Sequence, residues 1–254
     1  MNDKIKSKID LANVELSYSA FRELAKNKSL SKYERIGFPD SYRDGFEYYI
    51  FEDICAKLTN INGKNKNILD IGPGCSDLPK LLINLSKNNG HKLVFCDSHE
   101  MLSFYNDDFL LKVPGMFPDV YEDIHRVQKE YDAIICYSVF HYIFHDTNMW
   151  KFIDCCFSLL KPGGQFLLGD IPNISKRKRF FASKSGIDFH KEFTKSDSDP
   201  IVNFNKIEEG KIDDSILLSI VMRAQYFGFN AYILPQKNNL PMSNRRDDIL
   251  ILRP

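Results

Sequence analysis

Ile68-Leu69-Asp70-Ile71-Gly72-Pro73-Gly74-Cys75-Ser76 is the stretch whose reading decides the fold. A short apolar run ends on an acid, Asp70, and two glycines follow at alternate positions. Leu78, Leu81, Leu82 and Leu85 then recur at i, i+3, i+4 and i+7, the spacing of one helix face. Ser76 is a suitable N-cap for that helix, and Pro79 is tolerated in its first turn. A strand, a glycine turn and a helix let a ligand approach bare backbone, because glycine has no Cβ to collide with it. The bland alternative is a tight turn that binds nothing.

Outward from this turn, strands and helices alternate. Residues 66–71, 91–97, 110–114, 132–138 and 165–170 read as strands, and 147–160 reads as a helix with Trp150, Ile153 and Phe157 on one face. Lys161-Pro162-Gly163-Gly164 reads as the turn before the fifth strand. Such alternation predicts a parallel sheet covered on both faces. After a helix at 212–228, the apolar runs 230–234 and 248–252 have no helix between them, which implies an antiparallel pair at one edge. Residues 1–60 read as an N-terminal helical cap, with Phe46, Ile50, Ile54 and Leu58 at helical spacing. Residues 61–254 form the main domain, in which 174–210 is a long lid-like insertion. The fold class is therefore α/β: a Rossmann-like, mostly parallel seven-stranded sheet with helices on both faces and an antiparallel C-terminal edge strand.

The composition narrows the partners. The 254 residues hold 34 Lys and Arg against 34 Asp and Glu, and a net charge of zero argues against nucleic acid and anionic membranes. No segment approaches the ~20 apolar residues that span a bilayer. Met1 to Lys8 lacks an apolar core, so no secretory signal is expected. Six scattered cysteines without a C-x-x-C pair fit reduced thiols in a cytoplasmic protein better than disulfides or structural zinc. A homodimer is left open.

Ligands of open parallel sheets bind at the carboxyl ends of the strands. Asp97, followed by Ser98, ends the second strand, where an acid accepts from ribose hydroxyls; its alternative is a helix cap. Met116 and Phe117 follow the third strand, where they would sandwich a flat ring or pack in the core. Tyr137 and His141 stand at the end of the fourth, and Asp170 ends the fifth. His141 is the first candidate for a general base, with an apparent pKa near ~6.5, and Asp170 the second. His141, His145 and Asp146 have metal-ligand spacing, but three ligands are not evident and no metal is expected. Tyr33, Arg35, Tyr42 and Arg43 crowd a loop that would close over an acceptor, against the alternative of packing and surface charge. Lys176, Arg177 and Arg179 would clamp an anion there, against the default of a solvated charge run.

The pattern of Asp70, Gly72 and Gly74, with Ser76 where a third glycine is usual, resembles motif I of the class I S-adenosylmethionine-dependent methyltransferases. The resemblance extends to Asp97, the end of the fourth strand, the Pro-Gly-Gly turn and the antiparallel ending. It implies S-adenosyl-L-methionine as cofactor, with Asp70 near the methionine amino group. The cofactor-binding candidates are Asp70, Gly72, Gly74, Ser76, Asp97, Ser98, Met116, Phe117 and Tyr137. The end of the fourth strand is not Asn/Asp-Pro-Pro-Tyr/Phe, which argues against methylation of nucleic-acid amines. A narrower likeness, carried by 244–251, Ile171-Pro172-Asn173 and the run 176–179, is to small methyltransferases encoded with bacterial surface-polysaccharide enzymes. It implies a small acceptor, sugar-like, phosphate-bearing or otherwise anionic, methylated on oxygen. Three competing readings are a nicotinamide-dinucleotide oxidoreductase, a non-catalytic methyltransferase-like binding subunit and an aminopropyl transferase.

Overall fold

The computed structural model describes residues 16–254. Its seven strands are β1 (Asn67–Ile71), β2 (Lys92–Asp97), β3 (Leu111–Pro114), β4 (Tyr131–Tyr137), β5 (Leu160–Pro172), β6 (Asn230–Pro235) and β7 (Arg246–Leu252). They lie in the order β3-β2-β1-β4-β5-β7-β6. The first five run parallel, and β7 is antiparallel to both neighbours. The expected fold class is the observed one.

Strand alternation sends side chains to two cores. Leu69, Val94, Ile134, Phe166 and Ile249 face one, with Phe152 and Phe157 of helix Met149–Leu159. Ile68, Phe95, Ile135 and Leu167 face the other, with Ile50 and Ile54 of helix Glu47–Lys57 and Leu82 of helix Leu78–Asn89. The chain runs outward from β1 to β3 and then returns to the other side of β1 as β4. That reversal leaves a crevice above β1 and β4, the switch point of a doubly wound sheet.

Three local expectations differ, and part of a fourth lies outside the described residues. The first fifteen residues of the predicted cap lie outside the described residues; after them come helices Tyr18–Lys26, Asp40–Arg43 and Glu47–Lys57. The Pro162-Gly163-Gly164 turn sits inside β5, which begins at Leu160; a Cβ on Gly164 would come within 3.0 Å of Tyr131 O, so glycine permits the close pairing. The insertion at 174–210 carries two helices, Ile174–Phe181 and Lys184–Thr194, started by the caps Asn173 and Ser183. Ser76 is not the N-cap of the helix after the glycines: Asp77 holds that position, and its N–H donates to Glu47 Oε2 at 2.6 Å. A carboxylate from another helix takes the N–H of the N-cap residue itself, and among the described residues no side chain caps the next N–H groups. No helix among the described residues is long and apolar enough to cross a membrane.

Candidate functional site

The crevice is a cleft of about 930 Å³, its open mouth included. Its floor is the turn after β1. Gly72 and Gly74 both adopt left-handed φ, at +73° and +70°. A Cβ on Gly72 would stand 2.7 Å from Val139 Cγ2, and one on Gly74 would stand 2.6 Å from Ile36 Cγ2. The protein's own side chains already press against the turn, so the glycines serve packing as well as ligand access. Gly72→Val is therefore expected to lower the melting temperature of the ligand-free protein by roughly 5–15 °C, combining backbone strain with overpacking. An unchanged thermal melt would show that Val139 gives way.

Asp97 stands at the cleft wall, held by the N–H of Gly74 on Oδ2 (2.9 Å) and of Ser98 on Oδ1 (2.6 Å). Burial pushes its carboxyl up to about 6, against the opposing pull of those bonds. Asp70 lies behind the turn, in a smaller hollow with Pro73, Leu78 and Tyr137. Burial, and then the Asp97 charge, push it up to about 8. A carboxyl so walled off from water resists ionisation.

Ser76, Met116, Phe117 and Tyr137 also line the cleft. Phe117 is anchored edge-on to Phe152, with ring centroids 5.3 Å apart. Ser98 is turned away: its Oγ accepts from Met101 N–H at 3.2 Å and caps helix His99–Leu102.

At the ends of β4 and β5, Ser138 and Asp170 both take left-handed φ, at +64° and +57°. Neither is glycine, and each conformation is held by a bond to the other: Ser138 Oγ donates to Asp170 Oδ2. Asp170 also accepts from Arg246 Nη1 at 3.1 Å and from Gln236 Nε2 at 3.1 Å. Its own N–H donates to Asp248 Oδ1 at 2.8 Å, and Asp248 pairs with Lys57 at 2.6 Å. The Asp170 carboxylate is thus fully engaged and is not placed to take a proton from an acceptor.

His141 is not a near-neutral base either. Burial, then the Arg246 charge, hold it down at about 3, and its buried Nδ1 has no hydrogen-bond partner among the described residues. No rise in activity with an imidazole pKa is expected from it. The His141-His145-Asp146 spacing gathers no metal site: no group of three or more such ligands occurs among the described residues. Asp146 instead accepts from the Tyr18 N–H at 3.1 Å, which pins helix Tyr18–Lys26 over the cleft.

Of the four aromatic and arginine residues expected to face an acceptor, only Arg43 lines the cleft. Tyr33 is buried beneath Lys32. Arg35 donates to Asn27 O at 3.2 Å and stacks over Phe104. Tyr42 borders a separate hollow with Leu240 and Met242. The basic run does not reach the cleft. Lys176 pairs with Asp247 (2.7 Å) and Arg179 with Asp214 (2.5 Å), while Arg177 lies over the Phe181 ring at 5.1 Å. These charges fasten helix Ile174–Phe181 to its surroundings.

The cleft also has walls that the sequence reading did not single out: Tyr18, Phe21, Ile36, Phe38 and Tyr142. Phe21 meets Tyr142 edge-on at 4.7 Å. These rings come from segments with no motif. The buried partners Arg246 and Asp248 had a visible signal, since charges at 246–248 begin an otherwise apolar strand.

A family model described as a methyltransferase domain matches residues 43–192. Among solved structures, the chain is similar to the plantazolicin methyltransferase BpumL in complex with a triazolic desmethylPZN analog and SAH. The identity is 12%, the TM-score 0.57, and the match covers 93% of this chain and 96% of that one. It is also similar to a SAM dependent methyltransferase from Archaeoglobus fulgidus (15% identity, TM-score 0.50, 85% and 97% covered). A third is the CurJ carbon methyltransferase (16% identity, TM-score 0.51, 93% and 67% covered). At these identities the likeness is one of fold. No curated protein matches the sequence.

Proposed function

Because the chain belongs to the methyltransferase domain family, we propose that it moves a methyl group from S-adenosyl-L-methionine to a small-molecule acceptor, with oxygen as the receiving atom. One observation carries this reading. The glycine turn, Asp97, the Met116-Phe117 wall and the end of β4 all open on one cleft. The residues present suit the donor. Asp97 would take the ribose hydroxyls, Met116 and Phe117 would flank the adenine, and Asp70 and Gly72 would border the methionine end. The bound donor supplies an electrophilic methyl group on a sulfonium sulfur. The chain's part is to align an acceptor with it and keep water out, which the aromatic walls Phe21, Phe38 and Tyr142 serve.

The acceptor would enter between these rings and Arg43. Neither His141 nor Asp170 is set up to remove a proton, which favours an oxygen that arrives ionised over a neutral hydroxyl. A carboxylate or phosphate oxygen meets that description, on a sugar-like molecule or another, and a sugar hydroxyl does not.

Calorimetric titration tests the reading. S-adenosylhomocysteine should bind and NADH should not; the reverse would favour the oxidoreductase. Affinity for S-adenosylmethionine should rise with pH. Folded Asp97 and Asp70 have raised pKa values, so their burial costs nothing below the ordinary carboxylate range. That cost grows from the ordinary carboxylate range up to about 6 for Asp97 and about 8 for Asp70 and is complete above those values, where it destabilises the ligand-free protein. A cationic ligand that favours the ionised forms gains up to about tenfold per pH unit for each proton released. A flat pH dependence between 5 and 9 would remove both carboxyls from the binding reaction.

A further inference from the structure

Arg43 is the one guanidinium that lines the cleft among the described residues, and it is only 4% exposed. It is fixed from two sides. Nη2 donates to Ser138 Oγ at 2.5 Å, and the guanidinium plane lies 4.3 Å from the centre of the Phe38 ring. Its nearest carboxylate oxygen, Asp170 Oδ2, is 3.7 Å away. That same oxygen already serves Ser138 Oγ and Arg246 Nη1. Nη1 of Arg43 is buried and has no hydrogen-bond partner among the described residues. A buried donor without an acceptor is costly, and a charged one more so, so the site calls for an acceptor from outside the chain.

The position of Arg43 says which end of the cleft that acceptor occupies. It bonds Ser138, just after β4, and approaches Asp170 on β5. Asp97, which ends β2, lies across β1 from that pair. The unpaired donor therefore lies at the β4–β5 end of the cleft, across β1 from Asp97. Resting on the methyltransferase reading above, we propose that the methyl acceptor carries a carboxylate or phosphate group that docks on Arg43 Nη1. A planar guanidinium with one nitrogen anchored and the other open is suited to such an oxyanion. Ser138 and Asp170 set its orientation, and their left-handed backbones are the means by which β4 and β5 bring them together.

The cofactor has a carboxylate of its own, so the experiment separates the two sources. The full chain, saturated with S-adenosylhomocysteine, is titrated with inorganic phosphate and with acetate, using chloride at equal ionic strength as reference. Thermal melting is the readout. Wild type should show a saturable rise. Arg43→Gln should weaken the apparent anion affinity about 10–100-fold, and Arg43→Lys should fall between, since an ammonium cannot reproduce the fork. In both variants the affinities for S-adenosylhomocysteine and for 5′-methylthioadenosine, which lacks the amino-acid arm, should stay within about twofold of wild type. That second measurement also shows that the variants are folded. If Arg43→Gln does not fold, Arg43→Lys carries the comparison. The proposal is overturned if wild type ignores both anions, or if the variants respond to them as wild type does. It is also overturned if the variants lose S-adenosylhomocysteine but keep 5′-methylthioadenosine, which would assign Arg43 to the cofactor's carboxylate. Failure of wild type to bind S-adenosylhomocysteine would overturn the methyltransferase reading instead.

Discussion

Asp170→Ala is expected to destabilise the protein by about 3–5 kcal/mol, the usual cost of removing one partner from a buried ion pair. The carboxylate lies between Arg246 at 3.1 Å and Arg43 at 3.7 Å and accepts from Ser138 and Gln236 as well. Without it, two buried guanidinium groups face each other with no shared counter-charge, and Ser138 loses the bond that holds its left-handed backbone. Denaturant unfolding measures the loss. Asp170→Asn keeps most hydrogen-bonding capacity without the charge and should cost less. If the two variants are equally destabilised, the network is held by ion pairing and not by hydrogen bonds.

Asp97→Ala is expected to weaken S-adenosylhomocysteine binding by roughly 10–100-fold, corresponding to hydrogen bonds made by a charged acceptor. Its carboxylate is pre-positioned: Oδ2 is fixed by Gly74 N–H and Oδ1 by Ser98 N–H, each leaving lone pairs for a ligand. The ligand-free protein should be affected far less, because removing a carboxyl that burial has pushed up to about 6 also removes its desolvation cost. Calorimetry on the variant checks both halves. Unaltered affinity would take Asp97 out of the site.

The contrast between these residues shows what a sequence discloses. β2 and β4 are readable because each is an apolar run followed or ended by a residue that does not continue it, Asp97 and Ser138, and β1 runs one residue past Asp70 into the glycines. The glycine turn is readable because left-handed backbone leaves few residue choices. Burial is not readable in the same way. His141 looks like a base until its surroundings are known; then desolvation and Arg246 hold it neutral. Lys176 and Arg179 look like a clamp until Asp247 and Asp214, distant in sequence, are seen to take their charge. The helices over the cleft carry no motif, so Tyr18, Phe21 and Phe38 become visible only once Asp146 and Val139 are placed beside them.

The two ends of the cleft differ in how far along the chain their partners lie. At the β1–β2 end, Gly74 meets Asp97 across 23 residues. On the other side, Arg43 meets Ser138 across 95 residues, Arg246 meets Asp170 across 76, and Lys57 meets Asp248 across 191. Closing a long loop costs more chain entropy than closing a short one, and contacts of high sequence separation form slowly. The end beside Asp97 can therefore assemble from neighbouring segments, while the end beside Arg43 waits for the first helices and the last strand of the sheet to meet. Protection of the Gly74 amide ahead of the Asp170 amide during refolding is the signature of that order.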